Sequence, residues 1–167
     1  MSLINLLPQK IQEELSHKSL LKVISGLSNF EPQSVKKISE AAFLGGADLI
    51  DIACKPELVE SAIEISALPI CVSSVEPKSF INPVKAGATV IEIGNYDSFY
   101  EKGITFSEDK VLNLTKETKD TLPNVPLSVT IPHTIPIDRQ VDLAMRLFFE
   151  GADIIQTEGD KSSNPYN

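Results

Sequence analysis

Three segments of the chain share one pattern, in which a Gly-Ala pair ends a helical stretch and a short apolar run follows. These segments are residues 46–52, 87–93 and 151–157. Each carries a polar residue five positions after its glycine: Asp51, Glu92 and Gln156. A helix that runs into a strand three times predicts parallel strands around a common interior, with these polar side chains inside it.

The remaining sequence continues this alternation of strand and helix. Strands are predicted at residues 20–26, 49–54, 69–74, 89–95, 127–132 and 154–158. Prolines at positions 32, 56, 77 and 136 open helices, and Ser107 is the predicted N-cap of another. We expect one domain over residues 1–167, with an amphipathic segment at 4–22 forming an N-terminal capping helix (1–19) and a loop-like tail at 160–167.

Alternating strands and helices form either an open doubly wound sheet or a closed (β/α) barrel. The central strands of an open sheet should be almost continuously apolar, whereas Lys22, Asp51 and Glu92 fall within predicted strands. A barrel interior can hold such groups toward its open mouth. The predicted fold is therefore an α/β parallel barrel of TIM type.

Side-chain alternation assigns the two faces of each predicted strand. Asp51, Glu92 and Gln156 should share one inward layer, because they come from alternate strands. The residues expected below that layer are Leu49, Val90 and Ile154, and those expected above it are Ala53, Gly94 and Glu158. The residues expected to face the helices are Ile50, Ile52, Ile91 and Ile93.

A complete barrel of this type has eight strands, and only six are predicted here. The chain is expected to be an incomplete barrel, either a fragment lacking two units, an open sheet, or a sheet whose gap a second subunit covers. An unpaired edge strand favours pairing with another chain. The fragment is the favoured explanation, and a homo-oligomer is the alternative.

Composition excludes several classes of partner. The net charge of -8 disfavours nucleic acid, whose binding depends on Lys and Arg. The sequence offers no apolar run of roughly 20 residues, so no membrane helix is predicted. Cys54 and Cys71 lack metal-ligand or disulfide spacing, and His17 and His133 are the two histidines, so no metal site is predicted. A divalent ion held by Asp51, Glu92 and Glu158 is the alternative. A reducing compartment fits best.

Candidate site residues lie where the predicted strands end, because catalytic groups of this fold gather there. The candidate catalytic residues are Lys22, Asp51, Glu92 and His133. The candidate ligand- or cofactor-binding residues are Ser25, Gly26, Asn95, Thr130 and Glu158. The cofactor itself stays unknown, and the expected partner is a small-molecule ligand.

Each candidate has a chemical and a structural interpretation. Lys22 between Asp51 and Glu92 could be an amine of lowered pKa, a Schiff-base nucleophile or a proton shuttle, or it could simply neutralise the two carboxylates. The carboxylates could serve as acid and base or as internal support. Glu158 could orient His133, which could otherwise be a surface histidine.

The longest predicted loop, residues 94–107, is rich in aromatic side chains. They are Tyr96, Phe99, Tyr100 and Phe106. Such a loop could close over a ligand as a lid or stack on a planar ring such as flavin. The alternative is that these rings pin the loop to the body of the domain or fill a subunit contact.

Six motifs in order closely resemble the hypothetical chloroplast reading frame family number twenty-three of algal plastids and cyanobacteria. They occupy residues 22–27, 45–53, 69–74, 90–97, 128–133 and 155–159. The resemblance implies a TIM-type barrel and a location in plastid stroma or cyanobacterial cytoplasm. It implies no established activity. Members of the family continue for roughly another third beyond the sixth strand.

Two functions remain open on the sequence alone. One is an enzyme that acts on a small anionic or phosphorylated metabolite by acid/base or Schiff-base chemistry through Lys22, Asp51, Glu92 and His133. The other is a non-catalytic ligand-binding or assembly protein in which the same residues are internal support.

Overall fold

The computed structural model describes residues 2–159 and contains a curled, six-stranded parallel sheet. Its strands pair in chain order: β1 (Lys22–Ile24), β2 (Leu49–Ala53), β3 (Ile70–Ser73), β4 (Val90–Ile93), β5 (Leu127–Ile131) and β6 (Ile154–Thr157). The helices are α1 (Gln9–His17), α2 (Pro32–Leu44), α3 (Pro56–Ile65), α4 (Ile81–Lys85), α5 (Asp97–Tyr100), α6 (Glu108–Thr121) and α7 (Ile137–Phe149). This is the predicted incomplete (β/α) barrel, with β1 and β6 as its edges.

All six predicted strands are present, and each is shorter than predicted. Four helices begin at or beside the predicted signals. Proline is the first residue of α2 and α3, Pro136 precedes α7, and the Ser107 hydroxyl accepts a hydrogen bond from the Lys110 N–H (3.3 Å) at the start of α6. The predicted tail at 160–167 lies outside the described residues.

Three helix predictions need correction. The segment 4–22 is not one helix: a 3₁₀ turn at Ile4–Leu6 and α1 are separated at Pro8, whose fixed φ favours an extended connection. The helix opened by Pro77 begins as a 3₁₀ turn (Pro77–Phe80) before α4. The predicted loop 94–107 contains α5.

The two faces of the sheet have the predicted division of apolar side chains. Ile50, Ile52, Ile91 and Ile93 are buried against the helices, in one cluster with Val35, Leu58 and Leu143. On the other face, α1 covers the base of the interior. Its Ile11, together with Leu7, packs against Leu49, Cys71 and Val90. The N-terminal helix therefore closes the bottom of the barrel and leaves the polar layer above it facing the mouth.

Two aspartates hold the starts of neighbouring strands together. Asp48, just before β2, accepts a hydrogen bond from the backbone N–H of Leu21 (2.9 Å). Asp153, just before β6, accepts one from the backbone N–H of Leu127 (2.9 Å) and another from Lys119 Nζ (3.1 Å). Both aspartates directly follow a Gly-Ala pair, so the first and third repeats share this strand-anchoring role.

We expect Asp153→Ala to destabilise the protein by about 1–3 kcal/mol, because the buried N–H of Leu127 would lose its acceptor. Urea unfolding followed by circular dichroism measures the effect. The matched control is Asp120→Ala, since Asp120 is an exposed aspartate on α6. Equal stability of the two variants would contradict the anchoring role.

Candidate active site

A lysine and two carboxylates meet inside the curled sheet. Lys22 Nζ lies 2.6 Å from Glu92 Oε2 and 3.7 Å from Asp51 Oδ2. The side chains of Asp51 and Glu92 are 1% and 0% exposed, and that of Lys22 is 15% exposed. Lys22, Asp51 and Glu92, hereafter the interior cluster, therefore converge as predicted, and Lys22 is its most accessible member.

Ser73 and Asn95 orient the Asp51 carboxylate. The Ser73 hydroxyl lies 2.7 Å from each Asp51 oxygen. Asn95 Nδ2 donates to Asp51 Oδ2 (2.9 Å) and Ser73 Oγ (3.0 Å), and it lies 3.4 Å from Glu92 Oε1. Asn95 has a φ of 60°, a left-handed conformation that asparagine tolerates better than most residues. The Asn95 amide therefore lies between the mouth of the barrel and the carboxylates of Asp51 and Glu92.

The environment shifts proton affinities in the interior cluster. Burial and the nearby Glu92 raise the pKa of Asp51 from 3.8 to about 7, against the opposing effects of Lys22, Ser73 and Asn95. Burial alone would lower the pKa of Lys22, but Glu92, Cys71 and Asp51 outweigh it and the pKa is raised. Lys22 is thus held as an ammonium, and the predicted option of an amine of lowered pKa is wrong. Asp51 changes charge near neutral pH.

The close approach of β4 and β5 beside Glu92 depends on a glycine. A Cβ placed on Gly94 would lie 2.2 Å from Thr130 Oγ1 and 3.3 Å from Glu92 Oε1. Thr130 in turn lies 3.5 Å from the same Glu92 oxygen. Gly94 therefore has the inward position predicted for it and leaves room for Thr130 at the upper edge of the interior cluster.

His133 and Glu158 form a separate group nearer the mouth. Glu158 Oε2 accepts hydrogen bonds from the His133 backbone N–H (3.0 Å) and the Tyr100 hydroxyl (2.8 Å), and lies 2.9 Å from His133 Nδ1. The Tyr100 ring meets the His133 ring edge to face at 4.9 Å. The contact supports the interpretation in which Glu158 orients His133.

The other predicted site residues line the mouth. Ser25 and Gly26 border a cavity of about 530 Å³ that Asn95 also lines, and Ser25 Oγ accepts a hydrogen bond from Asn29 Nδ2 (2.9 Å). Gln156 is half-buried on the edge strand β6 and lines a second cavity, of about 250 Å³, with Asn95, Thr130 and Glu158. Asn95 borders both cavities and also contacts the interior cluster.

Two participants were not among the candidate site residues: Cys71 and Tyr100. The inward position of Cys71 could have been predicted from strand alternation, since Cys71 on β3 pairs with Asp51 on β2.

The interior is also a candidate metal site, because Asp51, Cys71 and Glu92 bring potential metal-ligand atoms within 4.8 Å of one another. The Lys22 ammonium already supplies a cation to Glu92, and burial raises the pKa of the Cys71 thiol. This donor set does not favour a metal ion.

The aromatic loop is fixed to the body of the domain. Tyr96 is fully buried, stacks on Phe106 at 4.4 Å between ring centroids, and donates from its hydroxyl to the Thr130 backbone oxygen (3.0 Å). Phe99 meets Phe106 edge to face at 5.4 Å. These contacts support the pinning interpretation and commit Tyr96 to the core, so it offers no ring surface to a flavin.

The sequence model of a protein family of unknown function, DUF561, matches residues 6–167. A ycf23 protein of Cyanophora paradoxa, named as uncharacterised, is 50% identical over 151 residues, covering 90% of this chain and 62% of that protein. The ycf23 protein of Pyropia yezoensis is 39% identical over 153 residues, covering 92% and 56%. The chain thus spans somewhat over half the length of these relatives.

Solved structures with the same architecture are enzymes by name. QR15, an aldolase, aligns with a TM-score of 0.57 at 18% identity, covering 83% of this chain and 65% of that one. Phosphonopyruvate hydrolase, in complex with oxalate and Mg²⁺, aligns with a TM-score of 0.62 at 9% identity, covering 99% and 66%. Such low identity supports the TIM-barrel fold alone.

Across residues 2–159, every helix is too short or too polar to cross a bilayer.

Proposed function

We propose that this chain, which belongs to the uncharacterised ycf23 family, is part of a TIM-barrel enzyme that moves a proton on a small oxoacid or phosphorylated carbonyl compound. Asp51 is the acid/base, Lys22 is the cation that stabilises an oxyanion, and Glu92 keeps Lys22 charged. The observation that carries the proposal is a carboxyl group with a pKa of about 7 lying 3.7 Å from an ammonium group.

A group with a pKa near the working pH exchanges protons most effectively, because both of its forms are populated. Asp51 meets this condition, and Ser73 and Asn95 restrict its orientation. The raised pKa of Lys22 favours electrostatic stabilisation of an enolate oxygen over attack on a carbonyl. We therefore prefer acid/base chemistry to the Schiff-base alternative.

The substrate class is inferred from the charge of Lys22 and from analogy of fold. The solved structures with this architecture are named as an aldolase and a phosphonopyruvate hydrolase, and a third is named 2,3-dimethylmalate lyase. Proteins that share this fold have many different functions, so the fold by itself does not identify the reaction. In this proposal, residues 1–167 form one domain and the protein acts in a plastid or in a cyanobacterial cell. Its binding partner is a small molecule and not nucleic acid.

Hydrogen–deuterium exchange at carbon tests this proposal. The chain is incubated in D₂O with pyruvate, other 2-oxoacids and dihydroxyacetone phosphate, and the loss of C–H signals is followed by proton NMR. We expect exchange of at least one compound, with a rate that rises through about pH 7 as Asp51 ionises. Asp51→Asn should reduce that rate by roughly 100-fold or more.

Glu76→Gln is the matched control, because Glu76 is an exposed carboxylate after β3. It should exchange at the wild-type rate. Exchange that survives Asp51→Asn, or the absence of exchange with the whole panel, would contradict the proposal. Borohydride trapping of a substrate on Lys22 would instead favour Schiff-base chemistry. Loss of stability without any turnover would favour the non-catalytic alternative.

A further inference from the structure

Helix α7 has a wider apolar surface than its own domain covers. Leu143 and Leu147 are fully buried on the side that packs against the sheet. A second apolar row, at positions i, i+4, i+7 and i+11, is formed by Ile137, Val141, Ala144 and Phe148. All of its members except Ala144 are exposed. This row, hereafter the flank stripe, has the spacing of a face that packs against another helix.

The flank stripe faces away from α6. Arg139 and Arg146 of α7 bind Glu108 of α6, with nitrogens 2.9 and 3.3 Å from its Oε2. At 100° per residue, these arginines lie roughly 180° around the helix from the stripe. Helix α6 contacts β4 and β5, whereas α7 contacts β5 and β6. The stripe is therefore on the side of the free edge of β6.

The other edge of the sheet also has an uncovered apolar surface. A groove of about 380 Å³ lies beside β1, and the residues that line it include Leu21, Val23, Lys37, Ile38 and Ala41. The groove is apolar apart from Lys37. The opposite flank of α2 is joined to α3 by Lys36 Nζ and Glu64 Oε2 at 3.6 Å. Since β1 and β6 each pair with one neighbour among residues 2–159, the groove and the flank stripe border the same gap.

We propose that the flank stripe and this groove are docking faces for two further β/α units, which close the barrel by pairing with β1 and β6. A closed barrel of this type has eight strands, so a gap beside six strands fits two. The alignment with the Cyanophora paradoxa protein covers 62% of that protein, and the remainder is longer than two units of about 30 residues each. The partner is therefore the part of the ycf23 relatives that lies outside the matched region.

A second copy of this chain fits the two faces less well. A two-fold pair through α7 would cover the flank stripe and leave the groove beside β1 open, whereas two units inserted between the edges cover both. They also supply hydrogen-bond partners to the free backbone groups of both edge strands. A strand paired with β1 lies beside Lys22, whose side chain is 15% exposed, and shields the interior cluster from water. The inference does not depend on the reaction that this cluster performs.

Methyl NMR and native mass spectrometry of the full chain test the docking. The chain has two methionines, Met1 and Met145, and Met145 is an exposed residue one turn after Val141. The partner used is the separately produced segment of the Cyanophora paradoxa protein outside the aligned residues. We expect a 1:1 complex and a saturable shift of the Met145 methyl signal.

Variants on the two faces should weaken this complex by roughly tenfold or more, because each places a charge in an apolar contact. They are Val141→Asp on the flank stripe and Ala41→Glu in the groove. Both positions are exposed in the chain alone, so the variants should fold with the wild-type circular dichroism spectrum. Ile65→Asp is the matched control, because Ile65 is an exposed isoleucine at the end of α3, away from the gap, and it should bind like wild type.

Three outcomes would overturn the docking. The first is the absence of a complex, and the second is wild-type affinity of both face variants. The third is a Met145 shift that depends on the concentration of the chain alone and does not change when the segment is added, which would assign the flank stripe to a second copy. Failure of the carbon–hydrogen exchange assay with the complex intact would refute the acid/base function and leave the docking faces standing.

Discussion

Replacing Lys22 by methionine is expected to lower the free energy of unfolding by about 3–5 kcal/mol near pH 8. The substitution leaves Glu92, which is fully buried, without the ammonium 2.6 Å from its carboxylate, and it removes the counter-charge of Asp51. A buried charge without a partner is among the most destabilising changes available to a folded protein. Urea denaturation measures the loss.

Two further variants separate charge from packing. Adding Glu92→Gln to Lys22→Met removes the buried carboxylate that has lost its ammonium partner. The double variant should recover most of the lost stability. Lys36→Met breaks a surface pair of a half-buried lysine and an exposed glutamate, Lys36 Nζ to Glu64 Oε2 at 3.6 Å, and should cost less than about 1 kcal/mol. If Lys22→Met were no more harmful than Lys36→Met, the interior ion pair would not support the fold.

The second large effect concerns pH. The folded protein holds the Asp51 proton up to about pH 7, whereas an ordinary aspartate loses it near 3.8. Between these values the folded state binds more protons, so the contribution of Asp51 to stability is complete below about pH 4 and is lost as pH rises through 7. Asp51→Asn cannot ionise and should escape this loss, gaining on the order of a few kcal/mol over wild type at pH 8.

Chemical denaturation at pH 5, 6, 7 and 8 tests this expectation. The wild-type midpoint should fall across this series, while that of Asp51→Asn should stay nearly level. Asp138→Asn removes an exposed aspartate at the start of α7 and should follow wild type. Parallel curves for wild type and Asp51→Asn would mean that Asp51 is already ionised at pH 5 in the folded protein.

The strand pattern was predictable because each strand has a clear sequence signal. The Gly-Ala turns and the apolar runs mark β2, β4 and β6, and the period of two assigned Leu49 and Asp51 to the interior and Ile50 to the helices. The convergence of Lys22, Asp51 and Glu92 followed from the same alternation, since the inward faces of a curled sheet meet.

The remaining features depend on tertiary contacts that a local pattern does not contain. The apolar spacing in 4–22 suits a helix, but it does not reveal that Pro8 divides the segment or that Ile11 packs on Cys71. The bond between Tyr100 and Glu158 joins residues 58 positions apart. The proton affinity of Asp51 reflects burial together with Glu92, so it emerges only when the strands are assembled.

The anchoring aspartates have a consequence for how this scaffold can vary. Asp48 and Asp153 set strand alignment from the closed end, while Asn95, Gln156 and Glu158 lie at the opposite ends of the strands. Alignment and recognition therefore depend on different residues of the same strands. Ligand preference could change by substitutions at the mouth while the hydrogen-bonding frame remains in place, which would allow related proteins to share this framework and bind different molecules.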